Sequence, residues 1–99
     1  MNAAVEHPYW LPFTANRDFN RKPRVISGAK GHWYTTEDGT RLYDTFSGLW
    51  TSGIGHCHPK IVEAVQKQVA TLDYCMTFQV TNDKALKLAE RVTAMAPEG

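Results

Sequence analysis

Neither sign of charge dominates this chain of 99 residues: 11 lysines and arginines stand against 10 aspartates and glutamates, a formal net charge of +1. Without a basic field nothing gathers phosphates along a nucleic acid, and without an acidic tract there is no solvated tail. Cysteine is scarce, with only Cys57 and Cys75. One potential bridge is no disulfide framework and neither residue has zinc-finger spacing, so a reduced, intracellular setting is expected. No stretch reaches the roughly 18 apolar residues of a membrane span. Residues 1–14 hold Glu6, His7 and two prolines where a secretory signal has a basic head and an apolar run, so the expected address is the cytoplasm. Repeats and low-complexity tracts are absent. At this length the upper bound is one small domain, burying roughly 65% of its unfolded surface.

What is abundant is aromatic: 11 Phe, Trp and Tyr, nine of them in the first 50 residues. Such rings line either a packed sheet or a pocket or interface. Residues 1–22 lack strand or helix periodicity. Pro8 and Pro12 punctuate Tyr9-Trp10-Leu11 and Phe13, which reads as an irregular arm whose rings need a surface to lie on. From Arg24 the pattern turns to period two. Arg24–Ser27 is expected as a strand, Gly28–Gly31 as a turn and His32–Thr36 as a second strand. Asp38-Gly39 then marks a hairpin of type I′, which needs positive φ at both central positions, and Thr40–Phe46 returns as the third strand. The expectation is an antiparallel three-stranded meander over 24–46.

Residues 47–58 are punctuated by Gly48, Gly53 and Gly55 and are expected to form no regular element. Pro59, with its fixed φ and missing N–H, opens a helix running to about Leu72 on the stripe Ile61, Val62, Val65, Val69 and Leu72. A connector, 73–80, carries Tyr74, Met76 and Phe78. Asn82 is the expected N-cap of a second helix with the stripe Leu86, Ala89, Val92 and Met95, ended by Pro97. Three segments result: an arm (1–22), the meander with its glycine-rich loop (23–58) and two helices (59–99). The chain stops where a next element would begin, so a fragment is expected.

The residues offer little chemistry by themselves. His56-Cys57-His58 suggests zinc or copper, but no fourth side chain stands at recognisable spacing, and the run is read as a glycine-permitted turn into a helix. The three glycines before that helix match neither phosphate-binding pattern. No nucleophile elbow is present, and Lys60, Lys67, Lys84 and Lys87 lie on helices without an apolar setting to lower a pKa. Leu49-Trp50 remains. A large ring on a glycine-flanked loop either fills a pocket or packs over the meander, and the residues alone leave both open.

The run Asp38-Gly39-x-x-Leu42-Tyr43-Asp44-x-x-Ser47-Gly48-Leu49-Trp50, then Gly53-x-Gly55-His56-Cys57-His58-Pro59, resembles the N-terminal region of class III aminotransferases. The arm Trp10–Asn16 and the connector from Thr71 to Gln79 are most similar to the ω-amino acid (β-alanine):pyruvate branch. The resemblance implies pyridoxal 5′-phosphate as cofactor and an overall α/β fold of pyridoxal-phosphate type I, of which this segment is the α+β part: arm, three-stranded antiparallel meander and two helices. It implies an amine donor and a keto-acid acceptor as substrates, a homodimer or homotetramer, and no nucleic acid or membrane partner. It supplies no catalytic, cofactor-binding or metal residue within these 99, whose isolated activity is therefore expected to be nil. Carried over residue by residue, Trp50, Leu49, Phe13 and Phe78 would line the substrate pocket, and His56 and His58 would be structural. Alternatives are another class III enzyme, such as a 4-aminobutyrate or acetylornithine aminotransferase or a semialdehyde aminomutase, and a non-enzymatic binding module with an aromatic face.

Overall fold

β-Branched and aromatic residues favour a pleated, half-buried surface, and between Ile26 and Tyr43 they form one. In the computed structural model, which describes residues 7–99, strands β1 (Ile26–Lys30), β2 (Trp33–Thr36) and β3 (Arg41–Tyr43) make an antiparallel sheet in the order β1-β2-β3. Lys30 pairs with Trp33, Tyr34 with Leu42 and Trp33 with Tyr43. Trp33 meets Tyr43 edge to face at 4.9 Å, and the Arg41 guanidinium lies 4.4 Å from the centre of the Trp33 ring. The part of the expected arm that falls on residues 1–6 lies outside the described residues.

Three boundaries differ from expectation. β1 runs through Gly28 instead of turning there, because the register slips between Ile26 and Gly28 and the bulge absorbs the extra residue. The turn thus shrinks to Gly31 and His32, with Gly31 at φ 59°. The second hairpin is not type I′. Gly39 alone has positive φ, 86°, while Asp38 stays on the ordinary side, giving a three-residue connection closed by a left-handed glycine. The cause is the Asp38 carboxylate, which accepts from the Thr36 hydroxyl and, at 3.0 Å, from the Thr40 amide. Last, β3 stops at Tyr43. The Asp44 amide still donates to the His32 carbonyl at 2.7 Å, but the Asp44 side chain then captures the Phe46 amide and the ladder ends.

The bonds to Thr36 and then to the Thr40 amide hold the Asp38 carboxyl down at about 2, against an ordinary 3.8. A carboxyl whose folded pKa is depressed stabilises the fold above its unfolded pKa, and that contribution fades as pH falls through the folded value. In the full-length protein, Asp38→Asn is therefore expected to lower the melting temperature at neutral pH, and the gap from wild type to narrow as pH drops below 3.8 toward about 2. A gap that stays constant through that window contradicts the assignment.

Helices flank the sheet in sequence. The arm, expected to be irregular, contains α1 (Asn16–Arg21), too short for an apolar period to register and braced by an Arg21–Asp18 pair at 3.1 Å. Within the glycine-rich loop lies α2 (Ser47–Trp50), a single turn. The last two helices agree closely with expectation. They are α3 (Pro59–Thr71), opened by its proline, and α4 (Asp83–Met95), capped by Asn82 Oδ1 accepting from the Ala85 amide at 2.9 Å.

The chain divides into two units that part between Pro59 and Lys60. Within each, among the described residues, no hydrophobic side chain is buried; Asn16 and Thr36 are the buried residues, and both are polar. The stripes of α3 and α4 are exposed along their length. The first unit is thus organised by hydrogen bonding around a few inward polar groups, and the most connected of these is Asp44.

Candidate functional site

Asp44 follows β3 directly, so it leaves the sheet edge pointing where the chain must turn. Its side chain is 5% exposed, and an ionised carboxylate buried to that degree needs partners for its lone pairs. It finds them. Oδ1 accepts from the Phe46 amide at 3.0 Å, and Oδ2 accepts from the Gly48 amide at 2.8 Å and from His56 Nε2 at 2.5 Å. Since the carboxylate only accepts, the His56 proton sits on Nε2. The His56 bond leads, and with the Phe46 and Gly48 amides it holds the Asp44 carboxyl below its usual range against the opposing effect of desolvation. Tyr34, on β2, packs against His56 with ring centres 4.6 Å apart and planes tilted by 42°. Desolvation and then the Asp44 charge push its hydroxyl pKa up, which keeps that hydroxyl a donor toward the carboxylate.

His56 is held from its other side by backbone. Its amide donates to the Gly31 carbonyl at 2.7 Å and its carbonyl accepts from the Gly31 amide at 3.0 Å, a two-bond bridge between the glycine-rich loop and the first hairpin. Gly55, at φ 93°, permits this approach: a Cβ there would stand 3.2 Å from the Gly31 Cα.

What this assembly grips is α2. Ser47, Gly48, Leu49 and Trp50 have φ of 52°, 60°, 63° and 68°, so the turn winds left-handed. It is closed by Trp50 and Thr51 amides donating to the Phe46 and Ser47 carbonyls, both at 2.9 Å. For L-residues this conformation costs roughly 1–2 kcal/mol per residue and is seldom sustained beyond one. Gly48 is the residue inside it that must lack a side chain, since its Cβ would meet Thr51 Oγ1 at 3.2 Å, Tyr34 Oη at 3.3 Å and His56 Cε1 at 3.4 Å. On the outer side of this braced turn Leu49 and Trp50 are displayed, the indole 85% exposed.

The arm repeats the arrangement. Asn16, 5% exposed, binds both sides of Leu11, accepting from its amide and donating to its carbonyl at 2.9 Å each, and donates to the Thr14 carbonyl at 3.0 Å. The loop so cinched carries Phe13 at φ 49° with its ring fully exposed. In the second unit, Phe78 is exposed on the connector, beside Gln79 at φ 64°. Of the four residues singled out by resemblance, Leu49 and Trp50 share one turn, Phe13 occupies its own loop of the first unit and Phe78 belongs to the second. Each lies at or beside left-handed backbone, the kind of strain that gathers at sites. A cavity of about 890 Å³, lined by Ala15, Phe19, Val25, Thr36 and Leu42 among others, lies beside α1 and contains none of them.

Sequence reasoning missed Asp44, Tyr34 and Asn16 as positioning groups. Asp44 stood inside the quoted motif, but only the fold shows that it reaches His56. Among the described residues no three His, Cys, Asp or Glu side chains gather as a metal site, and His56 is engaged with Asp44. Every lysine is exposed. Within the first unit the arrangement displays Phe13, Leu49 and Trp50 as exposed apolar side chains.

Comparison with known proteins gives the family. Residues 14–99 match the family Aminotransferase class-III. The chain is 47% identical over 89 residues to the ω-amino acid–pyruvate aminotransferase of Pseudomonas putida and 45% identical over 89 residues to the β-alanine–pyruvate aminotransferase of Pseudomonas aeruginosa, each match covering 90% of this chain and 20% of the relative. Its fold matches an amine transaminase from an uncultivated Pseudomonas species, solved in its pyridoxal-phosphate-bound form, with a TM-score of 0.82 and 33% identity over 94% of this chain and 21% of that one. It also matches a thermostable ω-transaminase variant with a TM-score of 0.78 and 25% identity, over 90% of this chain and 20% of that one; that variant carries Trp-to-Met, Phe-to-Leu and Arg-to-Leu changes and was engineered for asymmetric synthesis of enantiopure bulky amines. The chain belongs to the class III aminotransferases. It spans about a fifth of the length of the curated relatives it matches, and its meander and two long helices are the α+β segment that the family resemblance implies within a larger α/β fold.

Proposed function

We propose that this chain is the N-terminal part of an ω-amino acid:pyruvate aminotransferase, which moves the amino group of a donor such as β-alanine to pyruvate with pyridoxal 5′-phosphate. The observation that carries the branch is the pair Trp50 and Phe78. They are separated by the same number of positions as the tryptophan and phenylalanine changed in the variant engineered for bulky amines. The cofactor, when bound, supplies the electron sink for the transamination. This chain's share is the wall: Trp50, Leu49, Phe13 and Phe78 pack against the apolar part of the substrate, exclude water and limit the size of the group beside the amine carbon. The full enzyme is proposed to be a cytoplasmic homodimer or homotetramer.

The reading has a direct test. The full-length protein, supplied with pyridoxal phosphate, β-alanine and pyruvate, is expected to form alanine. The 99-residue chain under the same conditions is expected to form none, because it holds neither an anchoring lysine nor a phosphate loop. Alanine formation by the short chain, or its absence with the full-length protein across an ω-amine series, overturns the proposal.

A further inference from the structure

A left-handed turn of three non-glycine residues and one glycine persists only where its surroundings over-determine it. Asp44 does so from inside. It takes the Phe46 amide on one oxygen and the Gly48 amide on the other, fixing the peptide groups that lead into α2, while His56 Nε2 and the Tyr34 hydroxyl hold the carboxylate from the far side. His56 is pinned to Gly31 by two backbone bonds, and Gly48 leaves no room between the turn, Tyr34 and His56. A continuous chain of short contacts thus runs from the first hairpin through His56 and Asp44 into the turn that carries Leu49 and Trp50. The exposed rings themselves contribute little to holding that turn, since Trp50 takes part in none of the ring pairs among the described residues.

We propose that Asp44, braced by His56 and Tyr34, is a positioning residue for amine selectivity: by fixing the left-handed turn it aims Leu49 and Trp50 and so sets the size of amine accepted. This rests on the pocket role proposed above for Trp50. Asp44 performs no chemical step; losing its bonds releases the turn, and the wall moves with it.

The test uses the full-length holoenzyme and the ratio of kcat/KM for a bulky aryl amine to that for β-alanine, in Trp50→Ala, Asp44→Asn, Tyr34→Phe and the Asp44→Asn/Trp50→Ala double variant. Trp50→Ala shifts the ratio. Asp44→Asn is expected to shift it by at least about threefold, and to add clearly less in the Trp50→Ala background, where only Leu49 remains to be misplaced. Tyr34→Phe, which keeps the ring and removes one donor, shifts the ratio the same way by a smaller factor and carries the test if Asp44→Asn does not fold. The cofactor absorbance band stays at its wild-type position throughout. Equal loss for both amines with an unchanged ratio in Asp44→Asn and Tyr34→Phe, or fully additive shifts in the double variant, overturns the positioning role while leaving the pocket role standing. An unchanged ratio in Trp50→Ala itself overturns the pocket role, and the positioning role with it.

Discussion

Gly55→Ala lowers the stability of the full-length protein by roughly 2–5 kcal/mol, whereas Gly53→Ala, two residues away, changes it by less than about 1 kcal/mol. The sequence presents both as members of one glycine-rich stretch. The structure separates them. Gly53 has ordinary φ and open space where a Cβ would go. Gly55 sits at φ 93°, and a Cβ there would stand 3.2 Å from the Gly31 Cα, backbone that cannot swing aside. Left-handed strain of roughly 1–2 kcal/mol then adds to an overpacking penalty of roughly 1–3 kcal/mol. The two bonds between Gly31 and His56 must lengthen to relieve the clash, so the damage passes to the group that braces Asp44. Chemical denaturation midpoints of the two variants measure the difference; equal midpoints show that the loop and hairpin separate freely and that the bridge carries no stability.

How much of this could be read from the chain follows from the range of each interaction. α3 and α4 were legible because their causes are local: a proline at the first position, apolar residues every three or four, and an asparagine whose side chain reaches the amide three residues on. The meander was legible from alternation, but its details were not. A bulge at β1 slips register without changing composition, and Asp38 chose side-chain bonds to Thr36 and Thr40 over the positive φ its type tolerates. α1 was hidden because six residues make too few turns to show a period. α2 was hidden for a stronger reason. No local propensity favours Ser, Leu and Trp at positive φ; they are held there by Asp44, whose partner His56 lies twelve residues further along the chain. The four residues proposed to line the pocket came from family resemblance alone, and the structure adds that each stands at or next to left-handed backbone, two of the loops being cinched from within by Asn16 and Asp44.

Trp50→Ala in the full-length enzyme raises kcat/KM for a bulky aryl amine relative to β-alanine by about tenfold or more, with little change in stability. The indole is 85% exposed and takes part in no ring pair among the described residues, so its removal leaves no cavity within the fold of this chain. On the pocket role proposed for Trp50, what changes is the space beside the amine carbon. A hydrophobic wall discriminates by roughly 1–3 kcal/mol for each methylene-sized mismatch, a factor of about 10–200, and an indole occupies far more than a methylene. A small donor such as β-alanine reaches the wall weakly and gains little from its removal, while a bulky amine gains the whole relief of the steric conflict. Steady-state kinetics over an amine series of graded size, with melting temperature as the control, separates the two effects. A ratio that stays flat across the series while the melting temperature falls would make Trp50 a packing residue of the intact enzyme; a ratio that climbs with amine size at constant melting temperature makes it the part of the wall that amines meet.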